Sequence, residues 1–172
     1  MVKDALKSEF DCKDLGDVWN ILGLEINYTD KGIELSQCGY IKKILLKYAM
    51  IDFHPVSIPL DPNSPLLKTE LGTGIDNIDE YQSMIGSLMY AVIGTRPDLA
   101  NIVMVLSQFS FSPDQIHLQA AKRTLRYLKG TMDWKLLYPK AQNMDLMCYS
   151  DASYGSSLDD RGSYSGYIIL LM

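Results

Sequence analysis

Cysteine is scarce: there are three in 172 residues, Cys12, Cys38 and Cys148, far apart and with no C-x-x-C pair. An odd count at such spacing gives neither a disulfide framework nor a zinc site, and it reads as a chain from a reducing, intracellular environment. Histidine is scarcer still, with two, His54 and His117. No apolar run approaches the roughly 20 residues needed to cross a bilayer, so no membrane partner is expected. Residues 1–10 are charged and lack an apolar centre, unlike a secretory signal. Neither G-x-x-x-x-G-K-[ST] nor G-x-G-x-x-G occurs, which removes phosphate-loop and dinucleotide readings. Excess positive charge is absent too: 16 basic against 21 acidic residues leave a net charge of -5. That excludes a simple polycation but leaves room for a local basic face.

What is present is an ordinary globular composition, 47% hydrophobic and 22% charged, enough for one good core or two small units. Val18 to Tyr28 is rich in β-favouring residues, Thr29 to Gly32 is a turn signal, and Gly32 to Gln37 predicts a second strand. Ser36 is a candidate cap for a helix to about Met50, with Ile41, Ile44, Leu45 and Tyr48 as its apolar stripe and Lys42, Lys43 and Lys47 pointing away. Residues 52–76 hold Pro55, Pro59, Pro62 and Pro65, four of the seven prolines, and predict an extended connector. Three helices follow. The first buries Tyr81, Met84, Ile85, Leu88 and Val92, with Asp79 and Glu80 suiting its N-terminal end. The second starts at Pro97 and carries Leu99, Ile102, Val103 and Leu106. The third opens on a capping box, Ser112-Pro113-Asp114-Gln115, and stops near Gly130. After Pro139 the period changes. Leu146 to Ser150 and Tyr164 to Met172 predict strands, with a domain boundary at about Lys140 to Asn143.

Few side chains offer chemistry. On the third helix Lys122, Arg123, Arg126 and Lys129 cluster with Gln119, while Ile116, Ala120, Ala121, Leu125, Tyr127 and Leu128 fill the rest of the circle. Such a stripe can neutralise phosphates and release their counterions; most such stripes are simply solvated. Lys42, Lys43 and Lys47 would add to it if both helices faced one groove. Asp151 ends an apolar strand, with Asp159 and Asp160 close behind, but two-metal hydrolysis needs several converging carboxylates. By pattern alone these aspartates belong to turns. His117 lies in the apolar arc and predicts a packed, hydrogen-bonded histidine. Arg96 is placed to pair with Asp98 or to cap the preceding helix.

In order along the chain, Phe10-Asp11-Cys12-Lys13-Asp14-Leu15-Gly16, Leu22-Gly23-Leu24-Glu25-Ile26, Gly32-Ile33-Glu34-Leu35-Ser36-Gln37 and Tyr40-Ile41 form a recognisable series. Ile85-Gly86-Ser87-Leu88-Met89-Tyr90, Thr95-Arg96-Pro97-Asp98, Leu106-Ser107-Gln108-Phe109 and the run Ala120 to Thr131 continue it. Tyr149-Ser150-Asp151-Ala152 and Asp160 to Tyr167 close it. This series resembles the polyprotein of copia-type LTR retrotransposons, where a reverse transcriptase runs into a ribonuclease H domain. The resemblance implies an α+β fold in three parts. Residues 1–37 would be the end of the polymerase palm. Residues 38–140 would be a helical thumb and connection, with the Pro-rich linker 52–76. Residues 141–172 would be the opening hairpin of a ribonuclease H-like domain.

By the same resemblance Leu22 and Gly23 lie in a primer-grip-like hairpin. Lys42, Lys43, Lys47, Lys122, Arg123, Arg126 and Lys129 would contact nucleic acid, and Asp151 would be the first ribonuclease H carboxylate and a ligand of Mg2+ in the intact enzyme. Ser153 and Tyr154 stand where relatives have a further aspartate and an aromatic. The Y-x-D-D aspartates of the polymerase would lie upstream of Met1 and the other ribonuclease H carboxylates beyond Met172, so the segment alone is expected to catalyse neither reaction. Implied partners are a template–primer duplex or RNA–DNA hybrid and the rest of the polyprotein, within a cytoplasmic virus-like particle. A free-standing nucleic-acid-binding remnant and a non-functional transposon relic are the alternatives.

Overall fold

The strand-forming residues at the start of the chain make a meander. In this computed structural model, which describes residues 2–61, 66–67, 74–140, 145–155 and 161–171, a short helix Val2–Glu9 (α1) with no buried residue comes first. Strands Asn20–Ile21 (β1), Leu24–Thr29 (β2) and Gly32–Ser36 (β3) follow. Val18 to Tyr28 is therefore two strands rather than one. Leu22 and Gly23 turn the chain back with φ of 51° and 72°, and Ile21 pairs with Leu24. Two positive φ values in a two-residue loop match the twist of the strands they join. Gly23 enters that region freely, whereas Leu22 does so against its own preference. The Tyr90 hydroxyl donates to the Leu22 carbonyl and ties the turn to a distant helix.

Next comes Cys38–Lys47 (α2). Ser36 does not cap it: that residue closes β3, and its hydroxyl donates to Glu25. Gln37 holds the cap position without a side-chain bond. The other Glu25 oxygen accepts from the Gly39 amide at 2.7 Å, so a carboxylate from β2 satisfies the positive helix end instead. The predicted stripe is right, with Ile41, Ile44, Leu45 and Tyr48 buried.

Ile78–Gly94 (α3) is capped by Asn77, whose side chain accepts from the Glu80 amide at 3.0 Å. A 3-10 turn, Pro97–Leu99, leads into Ala100–Ser107 (α4). Gln115–Gly130 (α5) follows. Its capping box is real but starts two residues later than the motif suggested. Asp114 is the cap, and the Asp114 amide donates to Nδ1 of His117 at 2.9 Å. His117 is buried and stacks on Phe109 at 3.8 Å, the packed histidine the sequence predicts. Tyr81, Met84, Ile85, Leu88, Leu99, Ile102, Val103, Leu106, Leu125 and Leu128 meet the α2 stripe in one core.

Leu136–Pro139 (β4) pairs antiparallel with β3 and completes a sheet of order β1-β2-β3-β4. Sequence reasoning placed no strand here. Leu146–Ser153 (β5) and Tyr164–Leu171 (β6) form a separate two-stranded antiparallel sheet. The class is α+β. The predicted boundary near Lys140 to Asn143, the Pro62 and Pro65 part of the linker, and Asp159 and Asp160 lie outside or partly outside the described residues.

An ion pair between a buried cation and a partly exposed carboxylate joins the helices. Arg96, 1% exposed, donates from Nε and Nη2 to both Asp98 oxygens at 2.9 and 2.7 Å. It also donates to the carbonyl and hydroxyl of Thr131 at 3.2 and 2.7 Å, past the end of α5. The predicted pairing with Asp98 is present; the carbonyl it caps belongs to α5 rather than α3. Burial raises the Asp98 carboxyl, but the bonds and charge of Arg96 and the Tyr127 hydroxyl lower it by more, leaving it below its ordinary value. A depressed folded pKa contributes stability above the unfolded value near about 4 and loses it as pH falls through the folded one. Wild-type melting should therefore decline on acidification below about pH 4 more steeply than that of Asp98→Asn. Parallel melting curves for the two proteins would refute a role for this carboxylate in acid stability.

Candidate nucleic-acid interface

The basic side of α5 is not bare. The Pro-rich segment runs along it in the opposite direction, as a strap. The Phe53 carbonyl accepts from Lys129 at 2.7 Å, the His54 carbonyl accepts from Arg126 Nε at 2.7 Å, and the Pro59 carbonyl lies 3.5 Å from the Thr124 hydroxyl. Gly74 then bridges to Asp114 at the start of the helix. Prolines suit this course, since they hold an extended backbone and leave carbonyls free to accept. Val56, Leu60, Leu66 and Ile75 pack on the core as the strap passes. The predicted connector is thus a packed part of the helical unit along its described length.

Lys122, Arg123, Arg126 and Lys129 are half-buried as a result. Three of them, Lys122, Arg123 and Arg126, line an open cleft of about 380 Å3 between α5 and the strap. Its other walls are Met50, Phe53, Leu60, Asp61, Leu66, Ile116, Gln119 and Ala120. Ile116, assigned from sequence to the core side, is 42% exposed and belongs to this wall. No sequence signal pointed to Phe53 or Leu60, because their position depends on how the strap folds back.

Lys42, Lys43 and Lys47 on α2 are exposed, and none of them lines the cleft. Lys47 faces α3 instead, donating to the Ser83 hydroxyl at 2.7 Å. Ser83 also accepts from Tyr48 at 3.1 Å, and these bonds, with Ser87 and the Lys47 charge, outweigh burial and lower the Tyr48 phenol. Leu22 is 79% exposed at the tip of its turn. The turn lies against α3, with Tyr90 Oη 3.4 Å from where a side chain on Gly23 would begin.

Asp151 is exposed on β5, opposite Gly166. Among the described residues no three His, Cys, Asp or Glu side chains converge as a metal site. Asp151 by itself offers a single carboxylate, and a metal centre for hydrolysis needs several that converge. Among the described residues no helix is long and apolar enough to cross a membrane.

Residues 1–62 match the family model described as reverse transcriptase (RNA-dependent DNA polymerase). The chain is 40% identical over 168 residues to the retrovirus-related Pol polyprotein from transposon RE1 of Arabidopsis thaliana, covering 98% of this chain and 11% of that one. It is 37% identical over 174 residues to the corresponding polyprotein from transposon TNT 1-94 of Nicotiana tabacum, covering 97% and 13%. An uncharacterized mitochondrial protein of Arabidopsis thaliana is 32% identical over 168 residues, covering 96% and 68%. The chain thus spans roughly a tenth of the length of the polyproteins it matches. No solved structure matches it at significance.

Proposed function

The chain belongs to the reverse transcriptase family of copia-type retrotransposon Pol polyproteins, and from that membership we propose that it is the part of such an enzyme that grips nucleic acid. In this reading residues 1–37 are the end of the palm, 38–140 the thumb and connection, and 141–172 the first strands of a ribonuclease H-like domain. Catalysis of either reaction belongs to the intact polyprotein, which would supply the remaining carboxylates and the Mg2+ site that Asp151 would join. Template–primer duplex or RNA–DNA hybrid is the ligand.

The observation that carries the proposal is the α5 cleft. A chain with net charge -5 concentrates three cations in one concave surface, and local potential rather than net charge decides phosphate binding. The strap strengthens this reading. By holding Arg126 and Lys129 through its carbonyls, it fixes their heads beforehand and leaves their remaining N–H groups for an anion.

Lys122→Glu is the direct test, because Arg126 and Lys129 also anchor the strap. Affinity for an RNA–DNA hybrid should fall as salt rises, with a log–log slope of about -0.9 for each neutralised phosphate. The variant should bind several-fold more weakly and with a shallower slope. Binding indifferent to both salt and Lys122 would end the proposal.

A further inference from the structure

The cleft differs from an ordinary duplex-binding surface in what lies beside its cations. A rigid duplex presents phosphates on a convex cylinder with its bases stacked inside, so it uses charge and leaves an apolar floor empty. Here Met50, Phe53 and Ile116 line the same concavity as Lys122, Arg123 and Arg126. Phe53 is 52% exposed although its backbone is held by Lys129, and Ile116 is 42% exposed. Arg123 Nε is buried and has no hydrogen-bond partner, and such a group is costly unless something accepts from it. At about 380 Å3 the space lies at the lower end of small-ligand pockets. Asp61, the one acidic residue of the lining among the described residues, has interactions of its own.

We propose that this cleft takes one nucleotide of an unpaired strand, with its base against Phe53 and Ile116 and its phosphate on Lys122, Arg123 and Arg126. Single-stranded sites combine a positive groove with aromatic platforms, because an unpaired base has a free face to stack. The proposal rests on the nucleic-acid reading above and narrows it: this surface prefers the single-stranded part of a template–primer to its paired part. Phe53 is a suitable platform because its main chain is already fixed, so little freedom is lost on stacking.

The test uses the full chain and two fluorescent probes of matched length, a single-stranded oligodeoxynucleotide and a blunt RNA–DNA hybrid, read by anisotropy. The single strand should bind more tightly. Phe53→Ala should weaken it about tenfold, the loss of one base–aromatic stack, and leave the hybrid unchanged. Lys122→Glu should weaken both. Circular dichroism and thermal melting establish that each variant folds, and Phe53→Leu, which keeps apolar bulk but not the aromatic face, should behave like Phe53→Ala. Hybrid bound in a salt-dependent way, with the single strand no tighter or insensitive to Phe53, overturns this inference and spares the broader reading. Binding of neither probe overturns both.

Discussion

Arg96→Met should cost about 2–4 kcal/mol, because a buried cation loses its hydrogen bonds to Asp98 and Thr131 while the Asp98 carboxylate, partly exposed, regains water, read as a lower urea midpoint with an unchanged slope. The guanidinium is 1% exposed and has no water to fall back on. It holds Asp98 with two bonds and Thr131 with two more, and it lies 5.5 and 5.4 Å from the ring centres of Tyr127 and Trp134. Methionine keeps much of the stem but removes every donor, so the Thr131 carbonyl loses its partner where α5 ends. The consequence is more than local. The segment after α5 carries Trp134 and then β4, and Arg96 connects it to the turn between α3 and α4. Asp98→Leu alone should be comparably harmful, because it strands the buried cation. The double variant Arg96→Met with Asp98→Leu should recover much of the loss, since the pair itself contributes little net stability against apolar residues of similar size. If Arg96→Met unfolds within about 1 kcal/mol of wild type, less than one hydrogen bond to a charged group contributes, the pair does not hold these elements together.

How much could be foreseen depended on the range of the interaction. The helical stripes were visible because a 3.6-residue period records burial directly, and Ile41, Ile44 and Leu45, like Leu99, Ile102 and Val103, all reach the core. The Arg96–Asp98 pair was visible because its partners are two residues apart. Leu22 was not expected to turn the chain, because a leucine with positive φ goes against its own preference and Tyr90, 68 positions away, supplies the hydrogen bond. The cap of α2 was misplaced for the same reason: the satisfying oxygen comes from Glu25, outside the local window. At the candidate site the four cations of α5 were legible from helical spacing. The cleft was not, since Phe53 and Leu60 reach it only through the reversed course of the strap. Strand β4 was hidden most completely. Its four residues are too few to show a period, and its pairing with β3 joins positions about a hundred residues apart.

That pairing makes Gly32→Ala the second severe substitution. Gly32 opens β3 opposite Pro139 and has φ of 148°. A side-chain carbon there would lie 2.1 Å from the Tyr138 carbonyl oxygen and 2.8 Å from Pro139 Cα. Both are backbone atoms, so no rotamer change relieves the contact. Either β4 withdraws or β3 twists, and the bond from the Lys140 amide to the Lys31 carbonyl goes with the pairing. The Thr29 hydroxyl, which bonds both the amide and the carbonyl of Gly32, opposes a shift of β3. The strain should cost about 2 kcal/mol or more, combining a disfavoured φ with a clash. Gly86 is the control. It lies mid-helix in α3 with nothing within 4 Å of an added carbon, so Gly86→Ala should stabilise by about 0.5–1 kcal/mol. Urea unfolding followed by tryptophan fluorescence compares the two, with Trp134 just ahead of β4 as one reporter. If Gly32→Ala is as stable as wild type, β4 does not pair with β3 in solution. The segment after α5 would then rest on the Arg96 network and the Lys135–Glu34 ion pair, and the loss from Arg96→Met should grow correspondingly.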